Sequence, residues 1–294
     1  MMKWSSNLFG VISLLHYIVI TLLIVSCEQP VFDDDDGGFA NLTFQTTTKD
    51  LTRSADLSTY FSKLNIQLFD AAGERVFSSV KTQTKSDSNF GHLTVKLAPG
   101  SYTVVAVGHS STVSATIKSP AVCQFTSSNG EKLTDTFCAC KKIDIGTGDQ
   151  NFTFDMYRAV AMVQFCFTDS MPPQNFARVK MEYTGGSSNF NPTTLEGITK
   201  SSQSEMRSTN GVHIYQAFTF PYLADTGVLK FIVSALDADG NIIRQRTFDD
   251  VNVTRNRITT YRGPMFEDGD GEFTESDFSF YIHADWEGET FYEF

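Results

Sequence analysis

Short runs of alternating apolar and polar residues, each closed by a turn, cover most of this chain. Leu64, Ile66 and Leu68 alternate with Asn65 and Gln67, and Leu93, Val95 and Leu97 repeat the pattern, the period-two signature of a half-buried strand. Ala98, Pro99, Gly100 and Ser101 then form a tight turn, because proline presets φ and glycine accepts positive φ. Residues 102–107 return with two apolar faces, which predicts a central strand. Asp70 to Gly73 turns the chain toward a strand at Val76 and Phe77, and Asp237 to Asn241 joins strands over 228–236 and 242–248. These two turns echo each other but fall at different places in their halves, a weak sign of duplication.

The same reading places strands at 141–145 and 151–154, paired around Gly146 and Gly148, then at 159–167 and 177–183. Others follow at 215–222, with Pro221 marking an end or an edge, and at 251–253 and 257–261. Residues 110–129 read as loop with one short strand, and 184–213 as a long polar surface loop. Residues 55–63 leave room for one short helical turn, and no amphipathic helix is evident after the N-terminal run. The pattern restarts near Tyr157, so the expected organisation is all-β, with one domain over 41–156 and a second over 157–266. The 26 Phe residues and abundant Thr, Val and Ile fit strands. Residues 267–294 carry ten acids and no Lys or Arg, and their aromatic alternation ends in a terminal strand that either folds back as an extra edge or docks on another protein.

The start of the chain has a different character. Lys3 precedes a nearly unbroken apolar run over residues 8–25, which closes on Ile24, Val25, Ser26 and Cys27 and turns polar at Glu28. A basic start, an apolar middle and a small residue at the junction describe a secretory signal. The cysteine makes it resemble a bacterial lipoprotein signal, with residues 1–26 removed and Cys27 acylated. The competing reading is a membrane anchor, for which about 18 residues is near the lower limit. Residues 27–40 follow as an acidic tether containing Asp33, Asp34, Asp35 and Asp36. Four adjacent acids stay solvated. They serve as a flexible spacer, and their position also resembles the surface-export signal of Bacteroidota lipoproteins.

Charge and chemistry narrow the function. The formal net charge is −11, and residues 1–26 contribute one Lys and no acid, so the processed chain is more acidic still. Nucleic acid is excluded as a partner, since phosphate neutralisation drives such binding. No nucleophile elbow, zinc-protease helix motif, phosphate loop or dinucleotide fingerprint occurs, so neither an enzyme nor a cofactor is expected. No metal site is expected, because Cys138 and Cys140 lack a second close pair or a nearby His. Asp237 and Asp239 do not complete a calcium loop. An exported chain can hold disulfides, which leaves Cys123 and Cys138 as a candidate pair, while Cys166 reads as a small core residue. Arg53 sits in a polar stretch, either an ordinary surface arginine or a site for a trypsin-like protease.

Several of these residues together resemble one family. They are the lipidated cysteine and acidic tether, the strand from Asn65 to Asp70, and the hairpin Leu97, Pro99, Gly100 and Tyr102. To these add Asp135 with Phe137, then Phe154, Tyr157, Arg158, Ala159 and Ala161, and finally Arg255, Asn256, Thr259 and Gly263. In this order they resemble the fimbrillin-associated anchor proteins of Bacteroidota type V pili, the FimB-type subunits. The resemblance implies two tandem transthyretin-like Greek-key sandwiches at the cell outer membrane, held by the N-terminal lipid and joined to other fimbrial subunits by strand exchange. Cleavage at Arg53 would instead make the chain a shaft or tip adhesin subunit that has lost its lipid. A surface glycan-binding lipoprotein is a further reading, poorly supplied with aromatic platforms because Trp286 alone remains after removal of Trp4.

Replacing Cys27 by Ala is expected to abolish incorporation of radiolabelled palmitate and to release the protein from the envelope fraction. Unchanged labelling and fractionation would remove the lipid anchor.

Overall fold

The computed structural model describes residues 38–46, 56–126, 132–209, 213–267 and 286–294. The first half contains β1 (Gly38–Thr46), β2 (Lys63–Phe69), β3 (Lys81–Thr84), β4 (His92–Leu97), β5 (Gly100–His109), β6 (Thr116–Ser119), β7 (Val122–Gln124), β8 (Phe137–Ile145) and β9 (Gln150–Arg158). The second contains β10 (Ala161–Phe167), β11 (Arg178–Thr184), β12 (Asn189–Phe190), β13 (Gln203–Ser208), β14 (Ile214–Thr219), β15 (Thr226–Leu236), β16 (Ile242–Thr254), β17 (Ile258–Gly263) and β18 (Glu289–Glu293). The predicted helical turn is a single 3-10 turn at Leu57–Thr59, started by the Asp56 carboxylate accepting the Ser58 N–H at 2.9 Å. Among the described residues no helix is long and apolar enough to cross a membrane.

Both halves are sandwiches with one topology. In the first, β3-β2-β5-β8 faces β9-β1-β4 across a core that includes Leu42, Phe44, Leu64, Leu68, Val104 and Phe154. In the second, β13-β11-β15-β16 faces β14-β10-β17-β18 across Phe165, Tyr183, Phe231, Val233 and Tyr261. The first strand of each half lies parallel to a late one, β1 with β9 and β10 with β17, and antiparallel to the strand on its other side, β4 and β14. The echoing turns are not the trace of this repeat. Asp70 ends β2 whereas Asp237 ends β15, whose counterpart is β5. Their likeness is local chemistry: each aspartate accepts backbone N–H groups within its own turn, and Gly73 and Gly240 take the positive φ that follows, 83° and 93°.

The halves are not separate beads. A third core unites Val105, Val107, Phe125 and Cys138 of the first with Met162, Phe190, Phe220 and Ile258 of the second. A small sheet, β12-β7-β6, crosses between them, because Phe190 pairs with Cys123. Phe190 also stacks on Phe220 at 4.3 Å between ring centroids.

Several sequence expectations change. Val76 and Phe77 form no strand: the buried Gln67 side chain donates to the Phe77 carbonyl and accepts its N–H, and β3 starts only at Lys81. The expected loop over 110–129 contains two strands, β6 and β7, and the one over 184–213 contains β12 and β13. Cys166 is half-exposed on the outer face, because Phe165 and Phe167 hold the core positions of β10. The strands around Gly146 exist, but they pair only at Phe137 with Arg158 and Cys138 with Tyr157. Beyond that point β8 and β9 diverge into opposite sheets, so residues 141–145 and 151–154 do not pair. Both strands carry an apolar stripe, Ile143 and Ile145 on one and Phe154 and Met156 on the other, and both stripes must face the same core.

One buried polar cluster gives a pH test. His109 is fully buried; its Nδ1 accepts the Ser111 N–H at 3.1 Å and its Nε2 lies 2.7 Å from Asn65 Oδ1. Burial, with Lys63 nearby, lowers its pKa to about 3. The folded state therefore binds fewer protons than the unfolded chain, and stability is lost as pH falls from the usual histidine range through the folded value. Below about pH 6 unfolding free energy should drop by about 1.4 kcal/mol per pH unit from this group. The His109→Gln variant should lack that component in urea titrations; an identical slope in both proteins would contradict it.

Candidate functional site

The junction is organised by one buried cation. Arg158 ends β9 with its side chain 4% exposed. Nε and Nη2 donate to the two oxygens of Asp135 at 2.7 and 2.8 Å, and Nη1 donates to Asn256 Oδ1 at 2.9 Å. The guanidinium also lies over two rings, Phe137 at 4.7 Å and Trp286 at 3.8 Å. A bidentate carboxylate, an amide and two aromatic faces meet the guanidinium's in-plane donors and its π surfaces together. Asn256 occupies the turn between β16 and β17 at φ 58°, a conformation asparagine tolerates. Its N–H donates to Val160 O at 2.9 Å and its carbonyl accepts the Glu287 N–H at 3.0 Å.

From Trp286 the chain enters β18, which runs parallel to β17 in the register Ile258 with Glu289 to Arg262 with Glu293. Tyr292 stacks on Tyr261 at 4.8 Å, and Phe294 meets Phe248 edge-on at 4.8 Å under the Arg246 guanidinium at 5.5 Å. Thr260 Oγ1 donates to the Glu289 carboxylate. The approach is so close that a Cβ at Gly263 would sit 1.8 Å from Phe294 O. Where the chain leaves β17, Asp169 accepts the N–H groups of Met265, Phe266 and Glu267 at 2.6, 2.8 and 3.2 Å. The terminal strand thus completes an edge of the second sandwich. What such an arrangement can do chemically is present backbone and aromatic groups to a neighbouring strand.

Cys27, Asp33, Asp34, Asp35, Asp36 and Arg53, together with the signal segment, lie outside the described residues. The strand that precedes Arg53 is described: β1 lies between β9 and β4 and buries Ala40, Leu42 and Phe44. Cys123 and Cys138 share the junction core but are both free thiols, so the candidate disulfide is not formed in the structure. Burial pushes both thiol pKa values well up. Among the described residues no group of three or more His, Cys, Asp or Glu side chains could hold a metal. Trp286 is buried against Arg158, so it offers no platform to a glycan. Sequence reasoning noted Asp135, Phe137, Arg158 and Asn256 only as separate motif residues and did not bring them together.

A family model described as the fimbrillin-A associated anchor proteins Mfa1 and Mfa2 matches residues 33–289. No curated protein sequence matches the chain. Similar solved structures include a candidate polysaccharide-binding protein from Bacteroides thetaiotaomicron, 13% identical, with a TM-score of 0.48 over 71% of this chain and 79% of that one. The fimbrial anchor protein Mfa2 from Porphyromonas gingivalis is 14% identical, with a TM-score of 0.43 over 71% and 82%. A fimbrial assembly protein from Parabacteroides distasonis is 12% identical, with a TM-score of 0.42 over 78% and 91%.

Truncating Arg158 to Ala leaves Asp135 without its cation and should cost roughly 3–5 kcal/mol in chemical unfolding. Arg158→Lys should recover only part, since an ammonium cannot pair bidentately while stacking on two rings. In a Trp4→Phe background Trp286 emission should shift to the red in both variants. Wild-type stability and emission in Arg158→Ala would show that the cation does not hold the junction.

Proposed function

The chain belongs to the family of fimbrillin-A associated anchor proteins, and on that premise we propose that it is an outer-membrane lipoprotein that anchors a fimbria at the cell surface and joins the neighbouring subunit by β-strand addition. Family membership makes it a fimbria-associated protein of the cell envelope. The finer reading is that Cys27 carries the acyl chains, residues 27–40 form the tether, and two transthyretin-like modules over 41–156 and 157–266 carry the contact. The single observation that most supports strand addition is β18, a terminal strand of five residues paired along one side only, on an edge that would otherwise present unpaired backbone. Two or three acyl chains at Cys27 would hold far more firmly than one, at about 0.8 kcal/mol per buried methylene.

The alternative of a protease-matured shaft or tip adhesin requires cleavage at Arg53. That cut would separate β1 from the chain and open the space between β9 and β4. The acidic tether beside Cys27 favours retention, so the envelope form should keep residues 28–53 on intact-mass analysis. The glycan-binding reading loses its one tryptophan to the junction.

Deleting residues 267–294 should leave the protein lipidated and in the envelope but unable to hold fibres, which would then appear in the medium. Fibres that assemble normally and stay attached after the deletion would exclude the terminal segment from the joint.

A further inference from the structure

The two sandwiches repeat one topology, and one of their differences bears on assembly. In the second half, the outer edge of β17 is covered by β18. The counterpart of β17 is β9, which likewise lies parallel to the first strand of its half. Among the described residues, the outer edge of β9 has ladder partners only at Tyr157 and Arg158, and residues 150–156 have none on that side. Among the described residues, the facing edge of β8 is likewise unpaired over 139–145. A cavity of about 330 Å³ opens between them, with Ala139 and Phe154 from the two strands, Tyr157 at its rim, and Thr193 and Leu195 of the second half as a wall. That volume is at the lower end of ligand-sized clefts.

The chemistry of the slot repeats as well. Arg246 on β16 is the cross-strand partner of the core residue Val233, and its guanidinium covers the ring of Phe294 at the end of β18. Lys141 on β8 is the cross-strand partner of the core residue Val104. It shares the face of Ala139 and Ile143, yet it is exposed; the acid that lines the same cavity, Asp155, accepts a hydrogen bond from Gln45 Nε2 at 2.7 Å. A cation on a core-facing position at an open sandwich side has the same place in both halves, and only one of them has its strand.

We propose that the β8–β9 slot is a second strand-receiving site, which takes an extended acidic-aromatic segment of another fimbrial subunit, laid parallel to β9 as β18 is laid parallel to β17. This rests on the anchor reading above, in which residues before Arg53 stay on the chain: β1 then fills the space between β9 and β4, and an incoming strand needs another edge. Other edges suit it less. The β3–β4 side is closed by the Gln83 side chain, which donates to His92 O and accepts the Gly91 N–H. β16 carries register shifts and a positive φ at Asp250, features that blunt pairing. A seated strand at β8–β9 would touch both halves of the molecule and bury Lys141 beside its acids and aromatic rings.

The test uses the full chain in detergent and a synthetic peptide with the sequence of residues 288–294, the strand that the equivalent slot already holds. A control peptide has Lys in place of both Glu residues. The amides of residues 150–156 that point away from β1 should exchange fast in the free protein and slow at least tenfold with the acidic peptide. The control should give little protection, and Lys141→Glu should reverse the preference. Slow exchange of those outward amides before any peptide is added, or no protection from the acidic peptide, would overturn the slot. So would protection that survives in Thr153→Arg, which fills its mouth. In cells, Thr153→Arg should release fibres while the protein remains in the envelope. If fibres stay attached in Thr153→Arg but are lost on deletion of 267–294, the slot is wrong and the anchor reading stands. If neither change releases them, the anchor reading fails first.

Discussion

A guanidinium withdrawn from water is the constraint on which this molecule is built. An isolated buried charge costs several kcal/mol, and the cost is offset only while every partner is in place. The partners of Arg158 come from three separate parts of the chain: Asp135 and Phe137 from the first sandwich, Asn256 from the second, and Trp286 from the terminal segment. None of these can leave without exposing the others to an unmet charge or an uncovered ring. The relative placement of the two sandwiches and the docking of the C-terminal segment are therefore one requirement. Trp286 and the Glu287 N–H bring the terminal segment to the turn that starts β17, and the register of β18 follows from that point.

The junction is also where the internal repeat breaks. Each sandwich can be laid on the other strand for strand, and the elements left over are β6 and β7 in the first half and β12 and β18 in the second. Three of these four form the small sheet that spans the halves, and the fourth follows directly from Trp286. A repeated module supplies two independent cores, and the insertions supply the third. Phe125, Phe190 and Phe220 stack in that third core, so the halves meet through apolar burial comparable in kind to their own interiors. Flexible domain motion is the expectation only where such an interface is small or polar.

Strand alternation made the fold class legible, and the Pro99–Gly100 hairpin was read well: β4 and β5 flank it, and the Tyr102 hydroxyl donates to Ala98 O at 2.9 Å. Period-two patterning tells that a segment is a strand but not which sheet it joins. For that reason residues 141–145 and 151–154 looked like a paired hairpin although they belong to opposite layers. β12 and β13 were missed because β12 is only two residues long and β13 is polar, and the apolar contribution of this stretch rests on single residues such as Phe190. The candidate site was the least legible part. Arg158 and Asn256 are 98 positions apart, and nothing local to either predicts the hydrogen bond between them. A lone Trp286 in an acidic segment has no period at all. Motif order hinted that these residues mattered, but only the fold brings them together.

The two terminal strands differ in how they can serve assembly. β1 is paired on both sides and buries Ala40, Leu42 and Phe44, of which the two large side chains are each worth about 1.5–3 kcal/mol of transfer out of water. Removing it would also leave two rows of backbone groups without partners, so a protein that uses this space must first cut the chain and then fill the gap. Among the described residues β18 is paired on one side, its Tyr292 is 36% exposed, and Phe294 at one end and Trp286 at the other add aromatic contacts to its ladder with β17. Its outer edge is the part of the second sandwich that β18 leaves open among the described residues. The two strands thus differ in kind: β1 is integral to the first sandwich, with neighbours on both sides, and β18 is an added edge of the second, with a neighbour on one.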